Sequence, residues 1–146
     1  MEANLNQYIC FNLYKGWREV STFYRDVLGK DVSPQKVYVL ELCEMDQKIT
    51  MNDLSSAMHL DGSAVSTLIS RMEKKSLVRR EHGVEDRRVV YVILTEEGHK
   101  VREKLRSQLD ILIKKMTEDI SESDIKVMQS VVNSITKNRA DYRESI

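Results

Sequence analysis

Cysteine, proline and glycine are all scarce in this chain: two, one and five of 146 residues. Cys10 and Cys43 stand 33 positions apart with no Cys-x-x-Cys, which excludes a disulfide framework and a zinc module. So little proline and glycine points to a mainly helical chain with few long loops. No apolar run approaches the ~20 residues of a membrane span. The first residues lack the basic-then-apolar order of a secretion signal, so a cytoplasmic location and no membrane partner are expected. His59, His82 and His99 are scattered without companion ligands, so no metal site and no cofactor are expected. No phosphate loop occurs, and no His–carboxylate arrangement accompanies Cys10, so an enzyme such as a thiol peroxidase finds no support.

An excess of charge of one sign is also absent: 23 Lys/Arg balance 23 Asp/Glu. The distribution is uneven, however. Between Arg71 and Tyr91 lie seven cations (71, 74, 75, 79, 80, 87, 88) and four acids (73, 81, 85, 86). A basic stripe on a neutral chain marks a local binding surface, not general adhesion to polyanions.

That stripe falls in the stretch Ile49 to Gly98, which reads as two short helices followed by a strand pair. Thr50-Met-Asn-Asp53 has a capping pattern, and Leu54, Ala57 and Met58 give the first helix its apolar side. His59-Leu-Asp-Gly62 breaks it, and Ser63 is expected to cap the second. There Val65, Leu68, Ile69 and Met72 recur at the spacing of one buried face. The other face carries Ser63, Ser66, Thr67, Ser70, Arg71, Lys74 and Lys75. Small hydroxyls followed by cations suit a helix entering a DNA major groove, where close approach to base edges and reach to phosphates are both needed. Ser63 and Ser66 are expected at phosphate, Thr67 and Ser70 at base edges, Arg71 at phosphate or guanine, and Lys74 and Lys75 at the backbone. Leu77–Arg80 and Val89–Leu94 read as strands around a polar tip, with Ile49 as a short third strand and Thr95-Glu-Glu-Gly98 opening another helix. Arg79 and Arg80 read as supporting contacts. Helix, turn, helix and β-ribbon in that order is a winged helix-turn-helix.

The block Leu60–Arg80, with Asp86-Arg-Arg88 and Leu94-Thr-Glu-Glu-Gly98, resembles the DNA-binding core of MarR-family regulators. The latter two pieces match that family's Asp-x-Arg wing and Leu-Thr-x-x-Gly close. The resemblance implies that Arg88 or its neighbour Arg87 enters the minor groove while Asp86 fixes the wing. It also implies a dimeric regulator of transcription, in the commonest case a repressor.

The flanks support a dimer on their own pattern. Residues from about Asn4 to Leu28 read as one helix, apolar on more than one side, and Ser33-Pro34 starts the next. Glu96 to about Thr117 carries a stripe from Val101 to Met116. Ser121-Glu-Ser-Asp124 caps a last helix faced by Ile125, Met128, Val131, Val132 and Ile135, with the polar tail from Lys137 expected to fray. The expected class is therefore mainly α with a small β-wing. A DNA-binding lobe at 34–98 lies within a single MarR-like chain, 1–146, whose residues 1–30 and 99–146 form a helical dimerisation region. A homodimer would set two recognition helices about 34–36 Å apart on double-stranded DNA, matching a pseudo-palindromic operator.

Two effectors are open. Gln7-Tyr-Ile-Cys-Phe-Asn-Leu-Tyr14 resembles the one-cysteine organic-peroxide-sensing branch of the family. That resemblance makes Cys10 the redox sensor, with Tyr14 and Tyr24 as tyrosines serving the thiol and Arg18 a further donor. The chain departs from that branch at Ser33, where the branch carries a second tyrosine. The alternative is a small aromatic or amphipathic ligand in the crevice between the first two helices and the DNA-reading lobe, lined by Trp17, Tyr24 and Tyr38, with Cys10 structural. Cys43, on an apolar helix, reads as core, with a resolving thiol for Cys10 as its other possible role.

Overall fold

The computed structural model describes residues 4–146; the first three residues of the dimerisation segment expected at 1–30 lie outside it. A 3-10 turn at Leu5–Gln7 precedes α1 (Ile9–Leu28). Then follow α2 (Pro34–Leu42), β1 (Ile49–Thr50), α3 (Met51–Met58), α4 (Gly62–Lys74), β2 (Val78–His82), β3 (Val90–Leu94), α5 (Glu96–Met116) and α6 (Glu122–Glu144). The chain forms two compact units, one ending at Leu112 and one spanning Ile113–Ile146.

In the first unit the capping residues do what their chemistry dictates. Ser33 accepts from the Lys36 N–H ahead of Pro34, and Thr50 accepts from the Asp53 N–H. One cap differs from expectation. Asp61, not Ser63, caps α4: its carboxylate accepts from the Ala64 N–H at 2.8 Å, and the Ser63 hydroxyl donates to the same oxygen at 2.8 Å. An aspartate one residue before a glycine reaches the orphan N–H groups better than a serine already inside the first turn. The long first helix also begins later than expected, at Ile9, because Asn4 closes a separate 3-10 turn.

The sheet order is β1-β3-β2, all antiparallel, so β3 is central. Ile49 lies opposite Val92 and supplies the expected third strand. Val92, Ile93 and Leu94 are buried, as are Val65, Ile69 and Met72 of α4 and Leu54 of α3. Each such side chain contributes on the order of 2 kcal/mol by leaving water. The strands are each offset from the expected bounds, and β2 runs on to His82 because Glu81 and His82 pair with Tyr91 and Val90.

Gly98, in the first turn of α5, is fixed by close approach. A Cβ there would stand 2.0 Å from the Leu77 carbonyl oxygen and 2.7 Å from Leu94 Cδ1. The Gly98 N–H is capped by Thr95 Oγ1 at 3.0 Å, while the Thr95 N–H donates to the same Leu77 carbonyl. Gly98→Ala should therefore cost roughly 2–3 kcal/mol or more in urea unfolding, since rigid backbone and not a movable side chain is in the way. A cost within about 0.5 kcal/mol, the ordinary surface range, would contradict this packing.

Arg102, absent from the sequence expectations, is the buried charge of this unit. With 5% exposure it donates to the carbonyls of Leu40 (3.2 Å) and Cys43 (2.9 Å) and forks onto Glu44. It thereby ties α5 to carbonyls at the C-terminal end of α2, where backbone acceptors have no partner within the helix.

The second unit is carried by α6. Ser121 and Asp124 form a reciprocal capping box. The helix continues to Glu144 rather than fraying from Lys137, whose ammonium pairs with Asp141 one turn on. Among the described residues no helix is long and apolar enough to cross a membrane, and no three metal-ligating side chains cluster.

Candidate nucleic-acid interface

The α4 helix turns its apolar stripe inward and leaves Ser63, Ser66, Thr67, Arg71 and Lys74 exposed. Lys75 is its C-cap and pairs with Asp31 at 3.4 Å. Among the described residues no ion pair involves Arg71 or Lys74, so both cations remain available to an anionic partner.

The hydroxyls divide into two kinds. Thr67 Oγ1 donates to the Ser63 carbonyl at 3.0 Å, which turns its methyl group outward. Such a threonine offers a thymine methyl an apolar contact and keeps only acceptor capacity for a base edge. Ser66 and Ser70 are instead held from behind. Arg80 on β2 donates to the Ser66 carbonyl (2.9 Å) and to Ser70 Oγ (3.0 Å), and pairs with Glu73 at 3.4 Å. Arg80, expected as a supporting DNA contact, is a strut between wing and recognition helix. Ser70 is half-buried with its oxygen engaged, which counts against the expected base-edge role. The expected phosphate seat at the start of α4 is also altered. The Asp61 carboxylate stands there, held below the usual carboxylate range by the Ala64 N–H and the Ser63 hydroxyl, and would repel a second anion.

The wing is closed by backbone. The Gly83 N–H donates to Val89 (2.9 Å) and the Val89 N–H to Asp86 (3.2 Å). A Cβ on Gly83 would meet the Asp86 carbonyl oxygen at 2.4 Å, so only glycine fits. Asp86 accepts from the Arg88 backbone N–H and from its guanidinium at 3.1 Å on each carboxylate oxygen. The Arg88 side chain is nonetheless 92% exposed. Hydrogen bonds from Arg88, side chain first, hold the Asp86 carboxyl below its ordinary value. A depressed carboxyl keeps its contribution above the unfolded value and loses it only as pH falls through the lower folded one. The latch is therefore intact throughout neutral and mildly acidic solution. Arg87 gives its carbonyl to His82 Nδ1–H at 3.0 Å and keeps an exposed side chain.

The expected effector residues are less concentrated. Cys10 is exposed in the first turn of α1. Tyr14 is one turn on, accepting from Arg18 at 3.3 Å. Tyr24 lies fourteen residues from Cys10 on the same helix, about 21 Å at the helical rise, so it cannot serve the thiol of its own chain. Cys43 is fully buried, and burial pushes its thiol up to about 11, which makes it a poor resolving nucleophile. Trp17 and Tyr38 are exposed and Tyr24 is buried, its phenol raised by burial and by Tyr38 beside it. These three line no cleft of the first unit. The cleft that does form there, about 520 Å³ between the α1–α2 connection and α4, is lined by cations over an apolar floor.

An exposed helix presented by a helix-turn-helix, braced by an arginine strut to a latched, arginine-tipped β-ribbon, defines a winged helix-turn-helix protein. Residues 32–90 match the MarR family, and the chain carries a MarR-family domain. It is similar to the HTH-type transcriptional regulator MgrA of Staphylococcus aureus, 25% identical over 92% of this chain and 91% of that one. Its fold is shared with the PcaV transcriptional regulator of Streptomyces coelicolor in complex with its natural ligand (TM-score 0.82, 13% identity, 94% and 97% of the chains). The same holds for the S. aureus MepR–DNA complex (TM-score 0.75, 20% identity, 90% and 98%). Proteins of this family are transcriptional regulators, not enzymes.

Proposed function

We propose that this MarR-family DNA-binding regulator works in the cytoplasm as a homodimeric repressor on a pseudo-palindromic operator. The observation that carries the reading is the pairing of an exposed Thr67/Arg71/Lys74 face with a latched Arg88 on one braced unit. In it the 34–98 lobe reads DNA and the segments 1–30 and 99–146 dimerise. Apolar side chains without cover support the second half. Tyr8, Ile9, Leu13 and Trp17 are exposed on α1, as are Val127, Met128, Val132 and Ile135 on α6. Exposed rows of that kind fit surfaces that a second copy covers. MepR, of the same fold, has been seen on DNA. Thr67→Ala should change preference among operator variants, chiefly at a thymine, by about 1–3 kcal/mol in mobility shifts. Equal losses on every sequence would remove Thr67 as a base reader.

Operator release is proposed to follow oxidation of Cys10, supported by its exposure within the uncovered stripe of α1. Peroxide would take the thiolate to a sulfenic acid, adding one oxygen and releasing water, and a small thiol could then displace water to form a mixed disulfide. Either adduct enlarges a side chain in the proposed dimer face. Peroxide treatment should abolish operator binding by the parent and leave Cys10→Ser unaffected. Equal sensitivity of the two proteins would discard redox control. A second reading keeps Cys10 structural and gives release to a small ligand; the cleft beside α4 favours it. An effector of either kind must differ in affinity between the bound and released arrangements, or it shifts nothing.

A further inference from the structure

The 520 Å³ cleft in the first unit has a composition that the DNA reading does not require. Its rim holds six cations, Arg25, Lys30, Lys36, Arg71, Lys74 and Lys75, and one acid, Asp31. Asp31 is shared already: its carboxylate pairs with Lys75 at 3.4 Å and its carbonyl accepts from Lys36 Nζ at 3.3 Å. Lys36 is half-buried, and its ammonium is pushed down by desolvation first and by Lys75 next. Two ammonium groups are thus held together with less negative charge than would balance them. Below them the floor is apolar: Pro34 and Met72 are buried, Val32 and Leu68 half-buried.

We propose that this cleft binds a small amphipathic dianion of the aryl phosphate class, its flat body on Leu68 and Met72 and its phosphate between Lys36 and Lys75. The volume lies in the range of small-molecule sites. A phosphate monoester brings close to two charges and three acceptor oxygens, which fits paired ammonium donors better than a single carboxylate does. A DNA backbone would use the rim and leave the apolar floor wet, which argues for a ligand with a hydrophobic body. Arg71 and Lys74 belong both to this rim and to the face proposed for DNA. Occupancy therefore draws two cations away from the duplex and lowers DNA affinity. That competition rests on the DNA reading and deepens its ligand-controlled form; the binding itself does not depend on it.

Calorimetry on the full chain with 1-naphthyl phosphate, 1-naphthol and inorganic phosphate tests the site without DNA. One site per chain is expected for 1-naphthyl phosphate, with the two fragments each about tenfold or more weaker. Lys36→Gln/Lys75→Gln should weaken it at least about tenfold, and Lys100→Gln, which removes an equal charge far along α5, should leave it unchanged. Circular dichroism confirms that the paired variant folds, and Lys75→Gln alone replaces it if it does not. Absence of saturable binding, equal binding of 1-naphthol, or unchanged binding by the lysine variant overturns the proposal. Loss of affinity for a random duplex in the lysine variant, with no 1-naphthyl phosphate bound by the parent, would make the cleft a seat for DNA backbone and also overturn it. Mobility shifts without ligand test DNA binding separately, so failure of one reading is not failure of the other.

Discussion

Arg102→Ala should lose about 3 kcal/mol of stability and melt roughly 6–12 °C below the parent at equal protein concentration. The loss follows from what the guanidinium leaves behind. The Leu40 and Cys43 carbonyls lose a buried donor, and an unsatisfied buried acceptor costs about 1–3 kcal/mol. Glu44, 45% exposed, can turn to water, which keeps the figure below that of a fully buried broken pair. Arg102→Lys should recover little, because an ammonium cannot reach two carbonyls and a carboxylate in the planar fork arrangement. Arg106 is the internal comparison. It pairs with Glu41 at 2.9 Å and Glu103 at 2.8 Å, yet is about half exposed, and its replacement should cost no more than about 1 kcal/mol. Equal losses at Arg102 and Arg106 in thermal unfolding would show that burial of Arg102 carries no special weight.

Arg88→Ala should weaken binding to every duplex tested, by about 1–2 kcal/mol per wing and roughly a hundredfold in a dimer that uses two wings. Arg88 is held by Asp86 yet open to solvent along nearly its whole length, the state of a side chain positioned in advance for a groove. Asp86→Ala should reproduce part of the loss with Arg88 still present, because the guanidinium must then be ordered on binding. The slope of affinity against salt should fall by about one per lost phosphate contact, and sequence preference should change little. Full affinity in Arg88→Ala at low and high salt would remove the wing from the DNA contact.

The parts of this molecule set by local chemistry were open to reading from the residues. Ser33-Pro34, Thr50 and Ser121 cap because a side-chain oxygen one turn before a helix has orphan N–H groups to satisfy. Val65, Ile69 and Met72 sit inside because their spacing allows one buried face. The Asp86–Arg88 latch spans two residues, and the resemblance to the MarR family named it. What depended on distant partners escaped. Arg102 appears as one more cation on a charged helix until α5 is laid against the end of α2, 58 to 62 residues away in sequence. Arg80 looked like a surface cation because its partners, Ser66 and Ser70, belong to a different element. The choice of Asp61 over Ser63 as cap turned on a register of two residues, which a run of capping-competent side chains leaves open. The ligand crevice was expected among aromatics, but the cavity formed where the α1–α2 connection passes α4, among lysines from three elements.

The claim on which the rest stands is that two copies of this chain present two α4 helices to one duplex. Sedimentation of the protein on an operator-length duplex, read with hydroxyl-radical protection of the same complex, measures it directly. Two chains per duplex should appear, with protected tracts centred about 10–10.5 base pairs apart or a multiple of that spacing. One chain per duplex, with a single protected tract at saturation, would contradict it.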